Sequence, residues 1–185
     1  MRTGWPVAFL CFLSLLALAI PAGAMSVKAG DTAPQFTART MQGQEIRLSD
    51  YRGRDVFLVF WSSWCSRCKE EMVFLRQLRD RYPSVVFLAV NAEAEEPDER
   101  TLQHMEDAIQ EWGIPFTILI DYGLRIWDLY GVNALPSSVI IGKDGSLIFV
   151  EPNFYFESPL HLEEALEAME SAASKAGAPS GEASP

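Results

Sequence analysis

The chain has 185 residues, 49% of them hydrophobic and 22% charged, a composition typical of a globular protein with enough apolar side chains for a core. Its formal net charge of −10 argues against a polyanionic partner, because phosphate groups are bound by clustered Lys and Arg side chains. We therefore expect no nucleic-acid partner.

The first 24 residues have the three parts of a secretory signal peptide. Arg2 supplies positive charge, residues 7–20 form an apolar run, and the segment 22–24 offers a small-residue cleavage site. The apolar run has 14 residues, fewer than the roughly 20 that a membrane-spanning helix needs. We expect cleavage after Ala24 and export to the periplasm, with an uncleaved membrane anchor as the alternative.

Strands and helices alternate along the mature chain. Residues 36–55 alternate apolar and polar side chains around two glycines, which predicts an N-terminal β-hairpin. The apolar run Val56–Trp61 predicts a central strand buried on both faces. From Ser66 onward the apolar residues fall near helical spacing, and Pro83 closes that segment.

The second half continues this alternation and ends in a hairpin and a helix. Strands are predicted at 85–90, 116–120, 139–141 and 147–150, and helices around 102–112 and 124–130. The last helix is predicted with Ser158 as N-cap, Pro159 at its first position, and Glu163 and Glu164 in its first turn. The pattern predicts one mixed sheet with helices on both faces, in a single domain over 25–173, followed by a disordered tail over 174–185.

The segment "WSSWCSRCKEEM" places Cys65 at a predicted junction between strand and helix. Cleavage of the signal removes Cys11, so Cys65 and Cys68 are the cysteines of the mature chain. Their spacing puts both side chains on one helix face, close enough to form a disulfide. A helix N-terminus favours a thiolate at Cys65, and Arg67 adds a nearby cation. We expect an exposed, reactive Cys65 and a shielded Cys68.

Two other roles for these cysteines are weaker alternatives. A structural disulfide that closes so short a loop stabilises a protein by only about 2 kcal/mol. A closed zinc site needs four ligands, and the remaining candidates, His104 and His161, are far apart on predicted surface helices. We assign these histidines no role.

Three segments in order resemble the exported TlpA/ResA-type thiol-disulfide oxidoreductases. They are "GDTAPQFTARTMQGQEIRLSDYRG", "WCSRC" after the buried strand, and "LYGVNALPSSVIIGKDG". The resemblance implies an α/β thioredoxin fold, in which helices flank a mixed central sheet, with an N-terminal β-hairpin and an inserted helix. It also implies that the cysteines form a redox-active CxxC pair.

Within this resemblance, Cys65 is the attacking nucleophile and Cys68 the resolving thiol. Pro136 is implied to be a cis-proline facing the pair, with Leu135 offering backbone hydrogen bonds to a substrate. Trp64 is implied to shield the pair and to face the substrate. An ordinary strand-start proline and a core aromatic are the alternatives for Pro136 and Trp64.

The chain departs from its relatives at two positions. Arg67 stands where many of them have proline, a position that is expected to affect the redox potential. Val59 stands where thioredoxin has a buried acidic residue, so another group must take the proton of the resolving thiol. Relatives often use a glutamate just past the next strand, which makes Glu93 the candidate. The alternative is that Glu93 is one more carboxylate on a solvated acidic turn.

The expected function is reduction of protein disulfides in the periplasm, for cytochrome c maturation or related thiol repair. The resemblance implies a monomer that uses no cofactor beyond its cysteines and receives electrons from a membrane donor. A net disulfide oxidant, a Cu(I)-binding chaperone that uses the same thiolates and a redox-inert interaction module are the alternatives. A peroxiredoxin fits less well, because Ser62 meets one requirement of its peroxidatic site whereas Leu58 stands where that site needs proline.

Overall fold

A computed structural model describes residues 25–155 and 157–177, with side chains up to residue 171. The predicted signal peptide and residues 178–185 of the predicted tail lie outside this part. The elements are β1 (Thr37–Thr40), β2 (Glu45–Arg47), β3 (Val56–Trp61), α1 (Ser66–Arg81), β4 (Val86–Asn91), α2 (Glu99–Trp112), β5 (Thr117–Ile120), α3 (Arg125–Tyr130), β6 (Ser137–Ile141), β7 (Leu147–Pro152) and α4 (Ser158–Gly177). None of the helices in the described segments is both long and apolar enough to cross a membrane.

The seven strands form one mixed sheet in the order β2-β1-β5-β4-β3-β6-β7. Strand β4 pairs in parallel with β3 and β5, and the other pairings are antiparallel. This arrangement confirms the predicted mixed sheet, the N-terminal hairpin and the central position of β3. Because β3 has neighbours along both edges and helices over both faces, all six of its residues are buried.

Alternate residues of β3 face two different hydrophobic clusters. Phe57, Val59 and Trp61 pack on the face covered by α1, α2 and α4, together with both cysteines. The residues between them, Leu58 among them, pack on the face covered by α3 and the segment before β1. The period of two follows from the pleat of the strand and places the cysteine pair on the first face.

The start of α4 differs from the prediction. Ser158 is the first helical residue rather than the N-cap, and its Oγ accepts a hydrogen bond from the Tyr155 backbone N–H at 2.7 Å. Consequently Glu163 and Glu164 lie beyond the first turn. The helix also continues to Gly177, past the boundary predicted at 173, so the start of the predicted tail is helical.

Candidate active site

The two cysteines lie where β3 gives way to α1. Cys65 is the N-cap residue of α1 and forms a disulfide with Cys68, with 5.2 Å between the Cα atoms. The Cys68 backbone N–H donates a hydrogen bond to Cys65 Sγ at 3.1 Å. After reduction, the same N–H and the partial positive charge of the helix end favour a thiolate at Cys65. The geometry therefore supports a nucleophilic Cys65.

The two cysteines differ in their access to solvent, but less than the sequence suggests. Cys65 exposes 8% of its surface and Cys68 none, so Cys65 is buried rather than open. Because the disulfide joins the two sulfurs, it holds Cys65 against its fully buried partner. The order of exposure is as expected, and the expected extent of exposure at Cys65 is wrong for the disulfide state.

The rim of the site carries Trp64 and Arg67. Trp64 is 70% exposed, so the alternative that it is a core aromatic is wrong. Arg67 is exposed and, with Glu70 on the same helix, lines a surface groove of about 490 Å³ whose other wall is formed by Phe154, Tyr155 and Pro159. A larger groove of about 750 Å³, between the N-terminal hairpin and α2, contains none of the predicted site residues.

The segment before β6 lies beside the end of β3. The Leu135–Pro136 peptide bond is cis, as the resemblance implies, and Pro136 is buried. Ser137 pairs with Phe60 across the antiparallel strands, which places Pro136 next to the point where β3 ends and the cysteine loop begins. This register brings the predicted substrate-binding segment to the end of β3 at which the cysteines lie.

Glu93 lies on the other side of β3, just past β4. Its carboxylate accepts hydrogen bonds from Ser63 N at 3.0 Å and from Ser63 Oγ at 2.7 Å. Asn91 Nδ2 is a third donor, at 3.4 Å, and the Glu93 backbone N–H donates to Asn91 Oδ1. The side chain is half-buried and joins the end of β4 to the loop that carries the cysteines. These contacts indicate that Glu93 stabilises the cysteine loop. Its predicted role as acceptor of the Cys68 proton stays a prediction.

Glu71 is a candidate site residue that the sequence analysis did not identify. It follows Cys68 by three residues in α1, a spacing that puts the two side chains on the same helix face. Glu71 exposes 1% of its surface, and its Oε1 accepts a hydrogen bond from Ser138 Oγ on β6 at 2.6 Å. Within the described residues its Oε2 has no hydrogen-bond partner. A carboxyl group therefore lies in the core one helical turn beyond Cys68.

The pKa of Glu71 is raised to about 8, mainly because burial disfavours the charged carboxylate; the hydrogen bond from Ser138 lowers the pKa, and the nearby negative charge of Glu151 raises it. Removing a carboxylate from water disfavours its charged form, and a single hydroxyl donor does not offset that cost. Glu71 is therefore largely neutral at pH 7 in the disulfide state. A carboxyl group with a pKa in this range can exchange protons with a thiol.

The two histidines lie on different helices and are both exposed. His104 is on α2, and His161 on α4 lies 3.6 Å from Glu151, measured from Nδ1 to Oε2. Within the part of the chain that the structure describes, no three His, Cys, Asp or Glu side chains are grouped so that they could hold a metal ion.

The family profile described as AhpC/TSA matches residues 29–150. The chain belongs to the AhpC/TSA family. This family member is 30% identical to the thiol-disulfide oxidoreductase ResA of Bacillus subtilis (strain 168) over 164 residues, which cover 87% of this chain and 88% of that one. It is 34% identical to the ResA of Bacillus thuringiensis (strain Al Hakam) over 119 residues, 64% of this chain and 66% of that one.

A solved structure agrees with these relatives. The AhpC/TSA family member aligns with a secreted disulfide oxidoreductase of Mycobacterium tuberculosis, homologous to E. coli DsbE, with a TM-score of 0.63 and 29% identity. The alignment covers 72% of this chain and 96% of that one. Together the matches confirm the thioredoxin-like fold, the ResA-type resemblance and the enzyme class, thiol-disulfide oxidoreductase.

Proposed function

We propose that this thiol-disulfide oxidoreductase reduces disulfides of exported proteins through Cys65 and Cys68. The observation that carries the proposal is the disulfide at the N-terminus of α1, in which Cys65 Sγ accepts a hydrogen bond from the Cys68 N–H. A purely structural disulfide has no need of this position. The helix end stabilises the thiolate that thiol exchange requires.

The reaction proceeds in two exchange steps. The Cys65 thiolate attacks one sulfur of the substrate disulfide, a mixed disulfide forms, and the other substrate sulfur leaves as a thiolate. Cys68 then loses its proton and attacks Cys65 Sγ, and the second substrate thiolate leaves. The substrate gains two electrons and the enzyme dithiol becomes the disulfide. Because Cys68 is fully buried, its proton needs an acceptor inside the protein.

Glu71 is the acceptor that we propose for this proton. It lies one turn beyond Cys68 on the same helix, is buried with it, and has an Oε2 that is not hydrogen-bonded within the described residues. Its raised pKa in the disulfide state is consistent with a carboxyl group that holds the proton taken from Cys68. Glu93, the candidate from the sequence, is engaged by Ser63 and Asn91.

Pro136, Leu135, Trp64 and Arg67 form the substrate side of the site in this proposal. The backbone of Leu135 binds an extended substrate segment, and Pro136 holds that backbone beside the cysteines. Trp64, largely exposed at the rim, offers a flat apolar surface to the substrate. Arg67 contributes positive charge next to the attacking sulfur.

We propose reduction as the direction of the reaction in the periplasm. A strong disulfide oxidant needs a strongly stabilised reduced form. In this protein Cys68 is fully buried, and burial disfavours a second thiolate at that position. The signal-like residues 1–24 and the secreted relative support export after cleavage behind Ala24. Within this proposal the protein is a monomer, a membrane donor keeps it reduced, and its substrates belong to cytochrome c maturation or related thiol repair.

A redox titration against glutathione tests the direction. We expect a potential close to that of thioredoxin, about −270 mV, rather than close to the oxidant DsbA, about −120 mV. The fraction of disulfide is read from thiol alkylation and mass spectrometry at each glutathione ratio. A potential near that of DsbA would show that the protein is a net oxidant and that the proposed direction is wrong.

Trapping with Cys68→Ser tests the chemistry and identifies the substrate. Without the resolving thiol, the mixed disulfide formed by Cys65 persists. We expect a covalent adduct with a model peptide disulfide that dithiothreitol releases. The matched control is a variant with both Cys65→Ser and Cys68→Ser, which retains no attacking thiol. Failure of the single variant to form more adduct than this control would remove the proposed function.

A further inference from the structure

A series of polar side chains connects Glu71 in the core with the surface of α4. Ser138 Oγ donates to Glu71 Oε1, and Ser138 pairs with Glu151 across β6 and β7. Side chains of directly opposed residues lie side by side on the same face of a sheet. Glu151 is thus the next acidic side chain along this path.

Glu151 has more polar neighbours and more access to solvent than Glu71. Its side chain is 15% exposed, and its Oε1 accepts a hydrogen bond from Ser158 Oγ at 3.3 Å. Its Oε2 lies 3.6 Å from Nδ1 of His161, whose side chain is 50% exposed. Among the residues that the structure describes, Ser138 is the one hydrogen-bond donor to Glu71, which is almost fully buried. Of two neighbouring carboxyl groups, the one with more donors and more solvent ionises first.

We propose that Glu71 and Glu151 work as a pair that holds one proton, with the proton on Glu71 and the negative charge on Glu151. This inference rests on the proposed role of Glu71 as the proton acceptor of Cys68. The groups that face the pair are Ser138 from β6 and Ser158 and His161 from α4.

The pairing makes Glu71 a base of suitable strength. An ordinary glutamate, with a pKa of about 4.3, is far too weak to take a proton from a thiol with a pKa of about 8.5. A second negative charge close to Glu71 increases its proton affinity, because two adjacent carboxylates repel each other. During resolution the proton moves from Cys68 Sγ to the Glu71 carboxylate. Glu151 remains ionised throughout, so it tunes Glu71 without touching the reacting atoms and is a positioning residue.

The test is a carboxyl titration by ¹³C NMR on the full chain in its disulfide state, with ¹³C-labelled glutamate. The resonance of Glu71 is identified by its loss in Glu71→Gln. In Glu151→Gln we expect the proton affinity of Glu71 to fall by about three- to thirtyfold, the range for a unit charge removed at short distance in a protein. Glu151→Asp keeps the charge and should retain most of that affinity.

Glu164→Gln is the matched control, since it removes an exposed carboxylate from α4, the helix that carries His161. It should leave the Glu71 titration unchanged. An unchanged titration in Glu151→Gln would overturn the pairing, and so would equal decreases in Glu151→Gln and Glu151→Asp, because packing rather than charge would then be the cause.

The unmodified protein provides a second measurement if Glu151→Gln does not fold. Coupled carboxyl groups each respond to the titration of the other. The Glu151 resonance must therefore show an inflection at the pH at which Glu71 titrates, and its absence would overturn the pairing. Exchange with a peptide disulfide is measured in parallel. Normal exchange with an uncoupled pair removes only this inference, whereas absence of exchange in the unmodified protein removes the proposed function.

Discussion

Two glutamates flank the cysteine pair on opposite sides of β3, and their surroundings differ. Glu93, on the β4 side, is half-buried and accepts hydrogen bonds from Ser63 and Asn91. Glu71, on the β6 side, is almost fully buried and accepts a hydrogen bond from Ser138. The pKa of Glu71 is raised to about 8, mainly by burial, and the charge of Glu151 contributes to that rise.

The difference shows how the same side chain can serve two purposes. A carboxylate with several donors and access to water is stabilised as an anion and can join two segments of backbone. A carboxyl group with one donor and no water favours its neutral form and becomes a proton carrier. On this basis the β4 side fixes the cysteine loop, and we expect the β6 side to take part in the chemistry.

The largest expected effect is on the pH dependence of the unfolding free energy, to which Glu71 should contribute. The pKa of Glu71 is raised on folding, so the folded state binds the proton more tightly, and the stability it confers is lost as pH rises from about 4.5 to about 8. Glu71→Gln removes this loss. Relative to the unmodified protein it should gain up to about 4 kcal/mol of unfolding free energy between pH 5 and pH 8.5.

Urea unfolding of the disulfide form at both pH values measures this gain. Glu70→Gln, one residue earlier and exposed, is the matched control and should show no such gain. If both variants follow the pH dependence of the unmodified protein, Glu71 does not hold a proton in the folded state.

The second effect is structural. Glu93→Ala leaves the Ser63 N–H and hydroxyl without their acceptor, which should lower the unfolding free energy by about 1–3 kcal/mol. Urea unfolding of the disulfide form measures this loss. Glu93→Gln keeps one acceptor oxygen and should lose less.

The same variants decide between the two candidates for the Cys68 proton. If Glu71 is the acceptor, Glu71→Gln changes the pH profile of exchange with a peptide disulfide and Glu93→Gln does not. The reverse result would restore the assignment made from the sequence.

Most of the fold could be predicted because local patterns determine it. The apolar run at Val56–Trp61 is typical of a buried strand, and a short loop joins it to the helix whose N-cap is Cys65. The cis bond before Pro136 came from family resemblance, since local sequence gives no signal for it. The N-cap of α4 was placed one residue too late, because Ser158 Oγ bonds to the preceding turn.

Glu71 was missed because it stands in a charged run, "KEE", that looks like a solvated helix face. Helical phase is the signal that could have found it. Cys68, Met72 and Leu75 all point inward, and a residue three after the first and four before the last lies on the same face. Its partner Ser138 could not be identified this way, since their contact depends on the packing of α1 against β6.

A smaller effect concerns the single donor of Glu71. Ser138→Ala removes the hydrogen bond that lowers the pKa of Glu71, so that pKa should rise further and the loss of stability should extend to higher pH. At pH 5, where Glu71 is neutral, the cost should be about 1 kcal/mol. Ser137→Ala is the matched control, because Ser137 is equally buried on the same strand and donates to the Ala134 carbonyl instead. A Glu71 titration that moves equally in both variants, measured by ¹³C NMR, would assign the change to the strand rather than to the donor.

The smallest effect on stability is expected for Trp64, at the rim of the cysteine site. Trp64 is 70% exposed, so Trp64→Ala should change the unfolding free energy by less than about 0.5 kcal/mol. Exchange with a protein disulfide should nevertheless slow several-fold, because an exposed aromatic face contributes contact area to a bound polypeptide. Exchange with oxidised glutathione should change little, since a small disulfide reaches Cys65 without covering the rim. Equal slowing with both substrates would instead mean that Trp64 acts on the reactivity of the Cys65 sulfur rather than on binding of the protein substrate.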